Sequence, residues 1–217
     1  MQNSFRLRPA LGALVALAFV ACSDASTGPD SQLTPAAALA AKGGKSSKPS
    51  PSPSPTPAPA PAPAPSGSTT DVTTCDGGTI TLSADEKASL DLHNQTRASY
   101  GLPAFCVDQT LTAAARAHSA EMLAKGYFAH ESYNGESFVT RLMNFGYTGW
   151  TNLAENVAYG SGSLGTASSI FNSWMNSPGH YANIVNGALR QIGIGAQYGT
   201  YSGYSGVGMW TADFGTR

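Results

Sequence analysis

The histidine best placed for chemistry is His180, which follows Ser177, Pro178 and Gly179 near the C-terminal end of the chain. Ser177 is a good N-cap residue and Pro178 is a good first helical residue, so His180 is predicted at the third position of a new helix. The positive end of the helix dipole disfavours the imidazolium form of such a ring. A neutral imidazole accepts a proton, binds a metal or accepts a hydrogen bond, and His180 is therefore a candidate functional residue.

The hydroxyl of Ser177, close to His180, raises the alternative of a serine nucleophile beside its base. The sequence around it has no Gly-x-Ser-x-Gly turn, and Glu155 is the only partner acid that can be identified. A capping hydroxyl already accepts hydrogen bonds from backbone N–H groups. We therefore predict that Ser177 caps the helix and is not a nucleophile.

Five helical segments are predicted from their capping residues and apolar spacing. A capping box at Ser83 and Glu86 opens the first, which ends near Tyr100. Asp108 caps the second, which ends at Gly126. The remaining segments are 136–145, 164–175 and a short helix that begins at Pro178 and ends before Gly187.

His118 lies on the apolar face of the second helix, together with Leu111, Ala115 and Met122. Such a histidine is either a ligand or a core side chain whose ring nitrogens bond to the backbone or to a neighbour. The apolar surroundings favour the second alternative. We therefore predict that His118 is structural.

The apolar pattern changes from helical to alternating after the last helix. Alternation over 191–198 and 206–214, with a turn rich in Gly, Ser and Tyr between them, predicts a C-terminal antiparallel hairpin. A stable sheet needs a third strand, and 155–159 is the best remaining segment. The prediction is an α+β fold in which helices pack on a small antiparallel sheet.

The charge balance excludes a nucleic-acid-binding surface. The 217 residues carry a formal net charge of -1. From residue 84 onward, seven scattered Lys and Arg are outnumbered by nine Asp and Glu. A polyanion-binding protein would show clustered basic residues instead.

The N-terminal part is predicted to direct the chain out of the cytoplasm and to anchor it. Residues 1–22 contain Arg6 and Arg8, an apolar run too short to span a bilayer, and Cys22 at the end. Phe19 to Cys22 resembles a bacterial lipobox, which predicts lipidation of Cys22 and a membrane-anchored lipoprotein on the cell envelope. The alternative is an ordinary secretory signal cleaved near Ala21. Residues 23–75, rich in Ala, Pro and Ser, are predicted to form a disordered linker ahead of a domain at 83–217.

Two cysteines, Cys75 and Cys106, remain after Cys22. An oxidising compartment makes a disulfide their expected state. The alternative of Cys106 as a catalytic thiol would leave Cys75 without a second thiol to pair with. We therefore predict a Cys75–Cys106 bond that joins the start of the domain to its first pair of helices, contributing about 2 to 4 kcal/mol.

Short motifs between residues 93 and 215 run in a fixed order. They are His93-Asn94 with Arg97, Ala117-His118 with Met122, Phe128-Ala129-His130, Gly135 with Arg141, Gly146-Tyr147, Glu155-Asn156-Val157-Ala158, Trp174 to Ile184, Ile192-Gly193-Ile194-Gly195 and Trp210 to Gly215. Between Leu90 and Phe214 the chain thus resembles the CAP superfamily (cysteine-rich secretory proteins, antigen 5 and pathogenesis-related 1), in its bacterial branch with a Ser-Pro-Gly-His motif. The resemblance implies an α-β-α sandwich with a small sheet between helices and a central cleft.

The resemblance also implies a cleft tetrad of two histidines and two acidic residues, which binds a divalent metal in some members. His130 matches the first histidine, Glu155 the first glutamate and His180 the second histidine, while the second glutamate is missing and Asn176 is the nearest polar substitute. Two His, one Glu and a water would suit catalytic zinc. The alternative is a hydrogen-bonded network in which Glu155 orients the imidazoles.

Two functional hypotheses follow from these residues. The first is a non-catalytic extracellular binding module that holds a lipid, glycan or peptide around His130, Glu155 and His180. The second is a divalent-metal-assisted peptidase or esterase of the cell envelope that uses the same three residues. Many tyrosines and few charges favour the first. Trp150 is interpreted either as a contact at the rim of the cleft or as part of a small core beneath its loop.

Overall fold

Capping residues set the ends of the two long helices. The computed structural model describes residues 67–217, with α1 at Ala84–Ser99 and α2 at Gln109–Lys125. Ser83 and Glu86 form the predicted capping box, in which the Ser83 N–H donates to Glu86 Oε2 at 2.9 Å. Asp108 accepts from two backbone N–H groups at the start of α2, and left-handed Gly126 ends the helix. Both predicted helices are confirmed.

Three shorter helices follow, α3 at Phe138–Asn144, α4 at Ala167–Met175 and α5 at Pro178–Ile184. The fourth segment was predicted to start near residue 164, but Gly162–Gly165 forms a 3-10 turn and Thr166 caps α4 instead. The predicted capping hydroxyl of Ser177 is wrong, because its side chain makes no cap bond. Only the Ser177 carbonyl takes part, accepting from the Tyr181 N–H at 2.8 Å.

The main sheet contains four strands. Its strands are β3 at Cys106–Val107, β4 at Asn152–Ser161, β5 at Gln191–Tyr201 and β6 at Tyr204–Thr216, in the order β3-β5-β6-β4. All neighbours are antiparallel except β3 and β5. Ser202 and Gly203, both with positive φ, form the tight turn between β5 and β6. The predicted hairpin and its third strand are confirmed.

Helices cover both faces of this sheet, which gives the predicted α-β-α sandwich. The larger core joins α1, α4 and α5 to one face and includes Leu90, Ile170, Trp174, Ile194, Trp210 and Phe214. The opposite face carries α2 and α3. A Cβ at Gly193 or Gly195 would lie 2.1 or 2.3 Å from the α2 backbone, so these two glycines let the helix lie directly on the sheet.

A β-hairpin that the sequence did not predict precedes α1. Its strands are β1 at Thr69–Thr73 and β2 at Thr79–Ser83, so part of the segment assigned to the linker is folded. The predicted disulfide is present, with 5.2 Å between the Cα atoms of Cys75 and Cys106. The Cys75 N–H also donates to the Val107 carbonyl at 2.9 Å, which ties the hairpin to β3.

The predicted signal sequence at 1–22, the lipidation of Cys22 and the linker up to residue 66 lie outside the described residues. Among residues 67–217, none of the helices has both the length and the apolar character needed to cross a membrane.

Candidate functional site

Glu155 is the centre of a buried network of charged side chains. Alternation along β4 directs it, with Val157 and Tyr159, to the sheet face covered by α2 and α3. Glu155 Oε1 accepts a hydrogen bond from His130 Nδ1 at 2.8 Å, and Oε2 accepts one from Arg141. A carboxylate only accepts, so the Nδ1 proton belongs to His130 in this contact. The structure therefore joins two of the three predicted site residues directly.

Arg141, on α3, holds this network together. Its guanidinium also donates to the His130 carbonyl at 2.9 Å and to Ser132 Oγ at 3.2 Å, so it fixes both the carboxylate and the loop that carries the histidine. Burial alone would raise the pKa of Glu155, but the charge of Arg141 and the hydrogen bond from His130 outweigh it and lower that pKa to about 2. Glu155 therefore stays ionised at neutral pH.

Asp213 is a functional candidate that the sequence reasoning missed. It lies opposite Glu155 in the β4–β6 register and is fully buried. Burial raises the pKa of Asp213 well above its ordinary value, and the neighbouring charge of Glu155 raises it further. The alternation along β6 could have identified it as an inward-facing residue, because Asp213 falls on the same face as Met209 and Thr211. Two carboxyl groups thus lie side by side, Glu155 with a lowered pKa and Asp213 with a raised pKa.

His118 borders the network and has the structural role predicted for it. Its Nε2 donates to the Ala129 carbonyl at 2.9 Å, which fixes the start of the loop that bears His130. Burial lowers the pKa of His118 to about 4, and the attraction of Glu155 offsets only part of this effect. The ring is therefore neutral at physiological pH.

His180 is buried on α5, at the third helical position that the sequence predicted. Its backbone carbonyl accepts from Asn156 Nδ2 at 3.1 Å. Asn183 on the same helix donates to Asn156 Oδ1 at 2.8 Å and to the Glu155 carbonyl at 3.5 Å. These bonds hold α5 against the outer edge of β4, the strand that carries Glu155.

The geometry does not fit a three-ligand metal centre. Within residues 67–217, His, Cys, Asp and Glu side chains form no group of three or more that could hold a metal ion. Glu155 instead accepts hydrogen bonds from His130 and Arg141, one on each oxygen. Zinc at His130, Glu155 and His180 stays a prediction from the sequence.

Trp150 packs as a half-buried side chain against the small cluster that contains Leu142 and Tyr147. Of its two interpretations, the small core beneath a loop describes this contact. Another group of aromatic side chains packs with Val157, on the same sheet face as Glu155. Phe128 and Tyr201 contact the ring of Tyr159 edge-on, with centroids 4.9 and 5.0 Å apart.

Comparison with known proteins agrees with this architecture. The family model described as the cysteine-rich secretory protein family matches residues 90–214. The chain is 37% identical over 114 residues to an uncharacterized protein, YkwD, of Bacillus subtilis (strain 168); the match covers 52% of this chain and 43% of that protein. The chain therefore spans less than half the length of this relative.

Solved structures show the same fold at low sequence identity. An extracellular protein of Bacillus anthracis that contains an SCP domain matches with a TM-score of 0.51 and 22% identity, over 65% of this chain and 47% of that one. An outer surface protein of Borrelia burgdorferi matches with a TM-score of 0.53 and 18% identity, over 69% of this chain and 99% of that one. With the family match over more than half of its residues, the chain belongs to the cysteine-rich secretory protein, or CAP, family.

Proposed function

We propose that this chain is an extracytoplasmic, non-catalytic binding module that holds a ligand of the cell envelope at the surface around His130, Glu155 and His180. One observation carries the proposal: both oxygens of Glu155 are bonded within the protein, to His130 and to Arg141. The carboxylate therefore organises the surface from below, and the ligand contacts the groups that it holds in place.

The state of Glu155 also argues against hydrolysis. A general base works best when its pKa lies near the working pH, whereas Arg141 and His130 keep that of Glu155 at about 2. A metal-bound water would need an open coordination position beside a cluster of protein ligands, and residues 67–217 contain no group of three His, Cys, Asp or Glu side chains that could hold the metal. A binding role uses the network as it stands, because fixed side chains lower the entropic cost of binding.

The proposed location rests on the relatives and on the N-terminal sequence. Two of the matching solved structures are named as an extracellular protein and an outer surface protein. The apolar run that ends at Cys22 fits export followed by lipidation. A lipid on Cys22, with the Pro-rich stretch after it, would hold the domain beyond the surface of the membrane.

The test compares binding with turnover, using the full-length chain. Co-sedimentation with purified peptidoglycan sacculi and with phosphatidylglycerol vesicles measures binding. We expect retention on one of these materials, about tenfold weaker for His130→Ala because the group that meets the ligand is lost. Arg190→Ala, an exposed change outside the network, is the matched control and should bind like wild type.

Turnover is measured as hydrolysis of p-nitrophenyl acetate and of a casein substrate, with and without added zinc. Turnover that requires zinc and disappears in Glu155→Gln would overturn the binding proposal in favour of the metal-assisted hydrolase. Calorimetric titration with zinc, repeated on a His130→Ala/His180→Ala double variant, would show whether those two histidines share a metal.

A further inference from the structure

Two tyrosines lie beside the network on the loop that follows α2. Tyr133 is 62% exposed, the largest exposure of any large hydrophobic side chain among residues 67–217, and Tyr127 is half-buried behind it. Their ring centroids are 5.6 Å apart, with an angle of 56° between the ring planes. We call Tyr127 and Tyr133 the tyrosine pair.

A single carboxylate fixes this pair. Glu121 Oε2 accepts a hydrogen bond from the Tyr127 hydroxyl and another, at 3.1 Å, from the Tyr133 backbone N–H. Burial and the bond to Glu121 both raise the pKa of Tyr127, so its hydroxyl keeps the proton that it donates. The ring of His118 contacts Tyr127 edge-on, at a centroid distance of 6.2 Å. The exposed ring is therefore attached to an ordered support.

The same loop joins the tyrosine pair to the proposed binding surface. His130 lies between the two tyrosines in sequence. Arg141 bonds to the His130 carbonyl and to Ser132 Oγ, directly before Tyr133. The buried network thus fixes the loop segment that carries both His130 and the exposed ring. The inference about this pair rests on the proposed function of that surface.

The charges around the pair favour a neutral ligand. Two cations lie near it: the Lys125 Nζ is placed over the Tyr133 ring, 5.6 Å from its centre, and Arg141 bonds to Ser132, directly before Tyr133. Glu121 supports the pair, and exposed Glu131 lies within the same loop. The carboxylates of Glu121, Glu131 and Glu155 outnumber the two cations Lys125 and Arg141, which disfavours phosphates and other anions.

An extended peptide would bind most readily by adding a strand to the free edge of β4. Side chains of the protein already occupy part of that edge. The Val157 carbonyl accepts from Trp174 Nε1 at 3.4 Å, and the Glu155 carbonyl accepts from Asn183 Nδ2 at 3.5 Å. A peptide strand could not bond to these two carbonyls without displacing the side chains.

We propose that the tyrosine pair stacks against a neutral pyranose ring of an envelope glycan. The face of an aromatic ring carries partial negative charge, which attracts the weakly positive C–H groups on one face of a pyranose. The sugar hydroxyl groups then meet polar atoms around the ring, including the Lys125 ammonium and the Glu131 carboxylate. The exposed ring, its rigid support and the excess of carboxylates over cations all suit this ligand.

The experiment measures retention of the full-length chain on purified peptidoglycan sacculi, with phosphatidylglycerol vesicles in parallel. Tyr133→Ala should weaken binding to sacculi about tenfold, and Tyr133→Phe, which keeps the ring, should bind within about threefold of wild type. Tyr204→Ala is the matched control, because Tyr204 is 46% exposed at the start of β6 and does not belong to this loop. It should bind like wild type.

The other possible results contradict either the inference about the tyrosine pair alone or the proposed function as well. If wild type and Tyr133→Ala bind sacculi equally well while His130→Ala binds them poorly, the role of the tyrosine pair is overturned and the proposed function stands. Retention on vesicles alone would replace the glycan by a lipid. No retention on either material would overturn both the glycan inference and the envelope-ligand function.

Discussion

Acid should destabilise this domain through His93, a histidine outside the proposed site. His93 is fully buried in α1, where its Nδ1 donates to the Ser89 carbonyl at 2.7 Å. Four aromatic rings surround it, those of Phe105, Phe171, Trp174 and Phe214. Burial, opposed by the bond to Ser89 and aided by the charge of Arg97, lowers the pKa of His93 from 6.5 to about 4.

The size of the effect follows from the difference between the two pKa values. In the unfolded chain His93 takes up a proton near pH 6.5, whereas in the folded domain it does so near pH 4. Between these values the unfolded state binds more protons, so the free energy of unfolding falls as the pH is lowered. The fall amounts to about 2 kcal/mol between pH 7 and about pH 5, and to about 3 kcal/mol by about pH 4.

Urea unfolding at these pH values, on wild type and on His93→Phe, measures this contribution. Phenylalanine fills the aromatic surroundings and has no proton to gain, so the variant should lose about 2 kcal/mol less than wild type between pH 7 and about pH 5. His118 titrates in both proteins, and its contribution cancels in the comparison. Equal losses in the two proteins would refute the assignment of this acid sensitivity to His93.

Three further predictions concern the helix–sheet contact and the buried network. Gly195→Ala should lower the free energy of unfolding by about 3 kcal/mol, because its Cβ would lie 2.3 Å from a backbone nitrogen of α2. Gly187→Ala, whose Cβ would meet only a leucine methyl at 3.4 Å, should change it by less than about 0.5 kcal/mol, and equal effects in urea unfolding would contradict this reasoning. Arg141→Gln should lower the free energy of unfolding by about 3 to 5 kcal/mol, since Glu155 would lose its buried counter-charge. An unchanged melting temperature would contradict this role of Arg141. Because the pKa of Asp213 is raised in the folded domain, the free energy of unfolding falls as the pH rises above 3.8, the pKa of this carboxyl in the unfolded chain. Asp213→Asn should flatten that decline, and an unaltered pH profile would exclude the effect.

The helices were predictable because their signals are local. The capping box at Ser83, Asp108 at the start of α2 and Gly126 at its end each act within one turn of the helix. The β1–β2 hairpin was not predicted, because a mostly exposed, Thr-rich strand shows little apolar alternation. Ser177 shows the limit of local reasoning, since a good capping residue at the right position makes no side-chain cap bond.

The candidate site was predictable only in part. Residue types and family spacing identified His130, Glu155 and His180, and the structure joins the first two directly. The ion pair of Glu155 with Arg141 connects residues 14 positions apart on different elements, a contact that periodicity does not specify. Asp213 became a candidate only when the register placed it opposite Glu155. Long-range pairing, which no single segment encodes, therefore determines the chemistry of this network.

The disulfide determines how the domain responds to a pulling force. Tension applied through the chain before Gly67 enters at β1, whose hydrogen bonds to β2 can break one after another. It then reaches Cys75, where the bond to Cys106 passes the load to β3, which pairs with β5 in the main sheet. The residues between the two cysteines, which include β2 and all of α1, lie off this path. A domain tethered to a moving surface would thus bear mechanical load on a covalent link and the sheet, while α1 and the core that it covers stay folded.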